Sequence, residues 1–327
     1  MSEEHPTTNS RATQARSSSL ILAVIVAVVS GGLIAIQGNF NGAFTSHGGG
    51  PLLAGWVSYV GTFITVLAIM VVQRNVATFW HILRTRSKLW WYLVGFGGVP
   101  IVVAMSWGIP LVGVAIASVC SVAGQTIISL VFDQRGVGIP APIPFTGRRI
   151  GAALVTLLGL ALAISASTGT STTLWAMIAT GIIIALAGTG LSAQNVGNGA
   201  VVARTGYPLI ASLTSVVGGT ALMSLILAIA GVTGNLSGVT FPPVADWWMY
   251  MGGPVGAVIV FSSAWAIRHL GAFRLTLAVV AGQMVTAMLV ELAAGTDVPP
   301  ATVAAAITMV LATVLVVTST SSGKASS

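Results

Sequence analysis

Residues 31–62 read "GGLIAIQGNFNGAFTSHGGGPLLAGWVSYVGT", and a related stretch, "GTGLSAQNVGNGAVVARTGYPLIASLTSVVGGT", follows at 188–220. The two stretches align with a one-residue shift near their ends, and Gln37 corresponds to Gln194, 157 residues later. Further matches follow in the same order at offsets of 157 or 158. They are Asn41 with Asn198, Pro51 with Pro208, the Trp-Trp pairs at 90–91 and 247–248, Trp107 with Trp265, "AGQ" at 123–125 and 281–283, and Asp133 with Glu291. The chain is therefore predicted to contain two copies of one unit.

The composition indicates an integral membrane protein. Of 327 residues, 55% are hydrophobic and only 6% are charged, and the mean hydropathy is +0.96. Soluble domains carry about 25% charged residues, so this chain cannot build a water-facing surface. The pI of about 10.5 does not indicate nucleic-acid binding, because the basic residues are few and lie in short loops, where they set membrane orientation. The single cysteine, Cys120, is expected to be a small buried apolar residue.

Ten segments are apolar enough to cross a bilayer, which takes about 20 residues as a helix. They are 19–44, 52–73, 90–108, 111–132, 149–166, 174–202, 208–231, 247–267, 271–290 and 301–318. The alternating segments of about 10 residues that are typical of a β-barrel are absent from the sequence. We therefore predict an all-α membrane protein of ten transmembrane helices. Its parts are a disordered tail at 1–18, a first five-helix repeat at 19–166, a linker at 167–173, a second repeat at 174–318 and a disordered tail at 319–327.

The basic residues predict the orientation. All 13 Lys and Arg residues fall on one side of a ten-helix layout. Because positive residues stay in the cytoplasm, both termini are expected there, in a bacterial inner membrane. A unit of five helices ends on the side opposite to its start, so the second copy is predicted to be inverted relative to the first. Inverted repeats are typical of secondary transporters, with the substrate site near the midplane between the repeats.

Buried carboxamides are the main site candidates. Residues i and i+4 share a helix face, so Gln37 points with Asn41, and Gln194 with Asn198. Gln125 and Gln283 are each the only strongly polar residue in the centre of a predicted helix. Two interpretations stay open for all six: hydrogen bonds between helices, or the lining of a substrate cavity.

Five further residues are secondary candidates: Asn39, Asn195, Trp107, Trp265 and Arg274. The two amides neighbour the glutamines but are not matched between the repeats. The two tryptophans end their predicted helices, which is typical of interfacial anchoring, and stacking against a substrate is the alternative. Arg274 lies within one turn of a predicted helix start. It can extend to the inner surface or meet an anion at the inner mouth.

Enzyme chemistry is not predicted. The only glutamates are Glu3, Glu4 and Glu291, which excludes an H-E-x-x-H zinc motif. The predicted spans hold no aspartate pair, and one cysteine with four scattered histidines makes no metal constellation. No cofactor or metal is expected. The expected partners are a small-molecule substrate and membrane lipids but no nucleic acid, and both a monomer and a homodimer remain open.

Several motifs carry a family resemblance: "GGGPLLAGWVSYVGT", Trp-Trp before a glycine-rich helix, "VAGQTIISLVFDQRGVG" and "FTGRRIGAALVTLLGLALAI". With these, each half resembles the five-helix unit of the YdcZ-like family in the drug/metabolite transporter superfamily. The resemblance covers nearly all of 19–166 and, more loosely, 174–318, where "VELAAGTDVPP" replaces the Asp-to-Gly loop. It implies a ten-helix inner-membrane exporter in which two units are fused.

Together these features predict a secondary transporter that works by alternating access at the repeat interface. A neutral polar cavity suits a small neutral, zwitterionic or amphipathic solute. Two alternatives from other classes remain open: a non-transporting membrane scaffold or assembly protein, and a lipid flippase.

Overall fold

The computed structural model describes residues 8–74, 76–137, 142–147, 149–151, 153–154, 158, 174–295, 300, 303–304, 307–308 and 311. This part of the chain is helical and contains no β-strand. Apolar side chains and the absence of water in a bilayer favour helices, because each helix satisfies its own backbone. The helices are α1 (Thr8–Phe44), α2 (Gly50–Val72), α3 (Val76–Arg86), α4 (Leu89–Leu93), α5 (Gly98–Gln134), α6 (Leu174–Thr205), α7 (Pro208–Val232) and α8 (Gly252–Ala293).

Eight of the ten predicted spans coincide with these helices. Five helical stretches are long and apolar enough to cross a membrane: Ser19–Val72, Leu89–Gln134, Leu174–Thr205, Pro208–Val232 and Val244–Ala293. Three of them contain a break in helical geometry, at Gly48, Gly113 and Gly271, where φ is positive. The other two predicted spans, 149–166 and 301–318, lie largely outside the described residues.

Helix α1 begins at Thr8, within the segment 1–18 that was predicted to be a tail, and residues 1–7 lie outside the described residues. A helix that has already formed extends at the small cost of propagation, without a new nucleation step. The apolar span from residue 19 supplies that preformed helix, so the polar residues before it continue the same helix.

Helix α3 was not predicted. It occupies the basic segment between α2 and α4, and its last turn carries Arg84 and Arg86. Its buried Phe79 contacts the ring of Tyr207 edge-on at 5.4 Å, while Trp80 is exposed. A short helix with one apolar face and a basic end is typical of a membrane–water interface.

Glycine permits close backbone contact at several helix crossings, among them the following two. In the first, between α1 and α8, Gly31 lies against the backbone of Val279 and Gly282 against that of Val28. In the second, between α5 and α6, Gly188 lies against Ser121 and Gly124 against Ala185. A Cβ at any of these four glycines would meet a backbone carbonyl. Small residues permit such close approach between membrane helices.

At each of the two later helix breaks, a carboxylate caps the helix that restarts after the break. Asp133, at the end of α5, accepts hydrogen bonds from Ala272 N (2.9 Å) and Phe273 N (3.1 Å), just after the break at Gly271. Glu291, at the end of α8, accepts one from Ala115 N (3.0 Å), just after the break at Gly113. The restarted helices thus obtain acceptors for their free N–H groups.

Among the described residues, the Asp133 carboxylate is paired with a cation and the Glu291 carboxylate is not. Arg149 pairs with Asp133 and donates to the carbonyl of Ile143 at 3.1 Å. Its guanidinium also lies 4.6 Å from the centre of the Phe273 ring. The loop after α5 is therefore fixed to the start of the second part of α8.

Candidate substrate cavity

A small cavity of about 70 Å³ lies among six helices and draws on both predicted repeats. Its wall comprises Ile34, Gln37, Gly38 and Asn41 of α1; Ser58, Tyr59 and Thr62 of α2; Gly98, Ile101, Val102 and Met105 of α5; Leu191 and Gln194 of α6; Val216 of α7; and Gly256, Ile259 and Val260 of α8. No charged side chain belongs to this described wall. The cavity is thus neutral, mostly apolar, and polar only at a few carboxamide and hydroxyl groups.

Gln37 is anchored at the amino end of its amide. Its Nε2 donates to Ser58 Oγ at 3.1 Å and to the backbone carbonyl of Gly252 at 2.9 Å. These bonds tie α1 to α2 and to the start of α8. Gln37 therefore joins helices and lines the cavity at once, so the two interpretations of the amides are compatible at this residue.

Gln194 repeats the bond to serine in the second half. Its Nε2 donates to Ser215 Oγ at 2.9 Å, which ties α6 to α7. Both glutamines thus bond a serine 21 residues later, and the two pairs are 157 residues apart. The match found in the sequence extends to hydrogen bonding in the structure.

The matched asparagines, Asn41 and Asn198, differ in whether they line the cavity. Asn41 lines the cavity and is 4% exposed. Asn198 lies outside the cavity wall, is 1% exposed, and neither amide atom has a partner among the described residues. The cavity therefore reaches one member of the pair and is closed at the other.

Gln125 and Gln283 also lie outside this wall. Gln125 is 1% exposed and donates to Ser121 Oγ at 3.0 Å. Gln283 is fully buried, and neither of its amide atoms has a described partner. The structure thus brings Gln37, Asn41 and Gln194 together and keeps the other three primary candidates apart from them.

The secondary candidates do not belong to the wall either. Asn39 is half-buried and Asn195 is buried. The ring of Trp265 lies 4.7 Å from that of His269. Arg274 is half-buried near the start of the second part of α8, and Trp107 lines a separate groove.

That groove, of about 710 Å³, lies on the opposite face of the first part of α5. Its described lining is apolar throughout: Pro51, Leu52, Val99, Pro100, Val103, Ala104, Trp107, Ile183, Leu186, Ala187, Leu222 and Ile226. Leu186, on the rim of the groove, is 66% exposed. In a membrane-spanning chain this rim faces lipid. Residues 98–107 of α5 therefore separate the polar cavity from the groove.

Sequence reasoning missed several wall residues. Ser58 and Ser215, the two glutamine partners, lie inside the aligned repeats at an offset of 157, so the alignment could have identified them. It gives no indication of Tyr59 or Gly98. Gly98 leaves no room for a side chain, because a Cβ there would collide with Gln194 Oε1 and lie 2.7 Å from Tyr59 Oη.

Comparison with known proteins identifies the family. A family model described as "Putative inner membrane exporter, YdcZ" matches residues 22–162 and again 167–319. No curated protein matches the chain. Ten chains of solved structures match; one, described as "Crystal structure of protein", is 15% identical, with a TM-score of 0.65 over 92% of this chain and 98% of that chain. At that identity the likeness shows the fold alone. The two family matches cover most of the sequence, and the chain therefore belongs to the YdcZ family of inner-membrane exporters within the drug/metabolite transporter superfamily, with two copies of the family unit.

Proposed function

We propose that this membrane transporter moves a small neutral, zwitterionic or amphipathic solute by alternating access between two inverted five-helix repeats. The observation that carries the proposal is the cavity in which Gln37 of one half and Gln194 of the other meet. Sites between inverted repeats are typical of secondary transporters.

The chemistry of the wall supports the solute class. Its polar atoms come from carboxamides and hydroxyls, and its apolar atoms from side chains such as Ile101, Met105 and Ile259. A charged solute would lose its hydration there without gaining an ionic partner in the described wall. A solute with an apolar body and an uncharged or internally balanced polar group fits better.

The difference between Asn41 and Asn198 supports alternation. In an inverted arrangement these matched residues lie toward opposite membrane surfaces. The cavity reaches the first and is closed at the second. When the two halves exchange conformations, Asn198 becomes exposed to the cavity and Asn41 is shut off from it.

Transport by this cavity is tested in two steps. Purified protein is first screened for thermal stabilisation by a panel of metabolites and drugs. The strongest stabiliser is then followed into proteoliposomes containing wild type, Gln37→Leu with Gln194→Leu, or the control Thr214→Val. Thr214 is buried, donates only within its own helix, to Ile210 O and Ala211 O, and lies outside the wall.

We expect flux in the wild type and the control and at least a tenfold loss in the double variant. Equal flux in all three proteins would remove the glutamines from the transport path. An absence of flux for every stabilising solute would favour the scaffold alternative.

The apolar groove favours a second candidate, a lipid flippase. Its lipid-facing rim lies one helix away from the polar cavity, which is the arrangement a lipid would need to place its tail and head group separately. A dithionite assay on fluorescent phospholipids in proteoliposomes tests this. Head-group movement faster than in protein-free vesicles would support it.

A further inference from the structure

We propose that the amide oxygens of Gln37 and Gln194, the first of them fixed by its hydrogen bonds, select solutes bearing a hydroxyl, amine or amide N–H over acceptor-only solutes such as carboxylates. This selectivity rests on the proposed function, because it takes the cavity as the solute site. It follows from counting the hydrogen atoms of the two amides.

The Gln37 amide has no free donor. Its Nε2 carries two hydrogens. One is donated to Ser58 Oγ and the other to the carbonyl of Gly252. A backbone carbonyl can only accept, so the amino end of the amide must face Gly252. Oε1 is left for the cavity, and no described residue donates to it.

The Gln194 amide is anchored less completely. Its Nε2 donates one hydrogen to Ser215 Oγ and keeps the second, and its Oε1 lies beside Gly98 at the cavity wall. No described residue donates to that oxygen. Two carbonyl oxygens are therefore available to a bound solute, and only that of Gln37 is fixed by a backbone acceptor.

The remaining polar groups do not reverse this preference. The Asn41 and Gln194 amides and the Tyr59 and Ser58 hydroxyls can each donate or accept, so they adapt to the solute. The described wall contains no cation that would attract a carboxylate. A donor group can bond the fixed Gln37 oxygen, whereas a carboxylate is repelled by that carbonyl dipole.

Small phenethyl probes separate donor recognition from charge. The first pair is 2-phenylethanol and its methyl ether, which differ in one O–H. The second is 2-phenylethylammonium and its N,N,N-trimethyl derivative, which share a charge and differ in N–H donors. Phenylacetate is the acceptor-only probe. Binding to purified protein in nanodiscs is measured by saturation-transfer NMR, with empty nanodiscs as the background.

We expect the donor member of each pair to bind about five- to tenfold more tightly, as for one net hydrogen bond. Gln37→Met keeps the side-chain shape and removes the acceptor, so the ratio should fall below about twofold. Gln194→Met provides the same test if the first variant does not fold. The control Thr214→Val should retain the wild-type ratio.

Equal binding within both pairs, tighter binding of phenylacetate, or no binding by either donor probe would overturn the selectivity. Flux of the strongest stabilising solute from the thermal screen into proteoliposomes is measured on the same preparation. Donor-selective binding without flux would contradict the transport proposal only, and flux without discrimination would contradict the selectivity only.

Discussion

Gln125 and Gln283 occupy matched positions, yet one residue gives them different surroundings. Four residues before Gln125 stands Ser121, which accepts its amide hydrogen, whereas four residues before Gln283 stands Val279. Gln283 is therefore buried with both amide atoms unpartnered among the described residues. An unsatisfied buried amide is destabilising, because its desolvation is not compensated.

Replacement of Gln283 by leucine should stabilise the protein. Leucine is close to glutamine in size and removes two unsatisfied atoms, so the free energy of unfolding should rise by about 1–2 kcal/mol. Thermal unfolding in detergent measures the change. Gln125→Leu is the matched control and should be neutral or destabilising, since it breaks the bond to Ser121. A lower melting temperature for Gln283→Leu would indicate that the amide has a partner in the folded protein.

At the level of elements, the helix breaks at Gly113 and Gly271 determine where the carboxylates act. Asp133 and Glu291, which are matched in the repeat, each cap the restart of another helix. The predicted spans 90–108 and 111–132 put an interruption at 109–110, but Pro110 lies within α5 and the break falls at Gly113. Proline is less decisive here because freed backbone groups in a membrane bundle find other partners.

Loss of the Asp133 carboxylate should destabilise the fold more than loss of the Glu291 carboxylate. Asp133→Asn leaves the buried Arg149 guanidinium without its ion pair, which costs about 3–5 kcal/mol. Glu291→Gln breaks a cap without a described cation and should cost about 1 kcal/mol. Thermal unfolding of both variants gives the comparison. The double variant Asp133→Asn with Arg149→Leu should recover most of the larger loss, and no recovery would contradict the pairing.

At the scale of the whole molecule, the internal repeat made much of the structure predictable. Apolar length located eight of the ten spans on described helices, and the repeat matched Gln37 with Gln194, which share a serine hydrogen bond in the structure. The repeat could not separate Asn41 from Asn198, because both are buried and only the packing of the folded protein decides which of them lines the cavity. It also could not reveal α3, whose sequence lacks the length of a membrane span.

The inverted layout predicts the side of the linker between the repeats. Five spans in each half place residues 167–173 outside and both termini in the cytoplasm. An alkaline phosphatase fused after Ser171 should therefore be active, and a green fluorescent protein at the C-terminus should be bright, since the first folds only outside the cytoplasm and the second only within it. An inactive phosphatase with a bright fluorescent protein at position 171 would contradict the odd number of spans.

Alternating access is tested most directly by cysteine labelling at the matched asparagines. Asn41→Cys and Asn198→Cys are made singly in a Cys120→Ala background and exposed to a membrane-impermeant maleimide from each side of the membrane. We expect position 41 to react only from outside and position 198 only from inside.

In the double-cysteine protein, a bulky reagent at position 41 should slow the reaction at position 198 by at least tenfold, because one open side excludes the other. An unreactive position 198, reaction of both positions from the same side, or independent reaction rates would contradict the account.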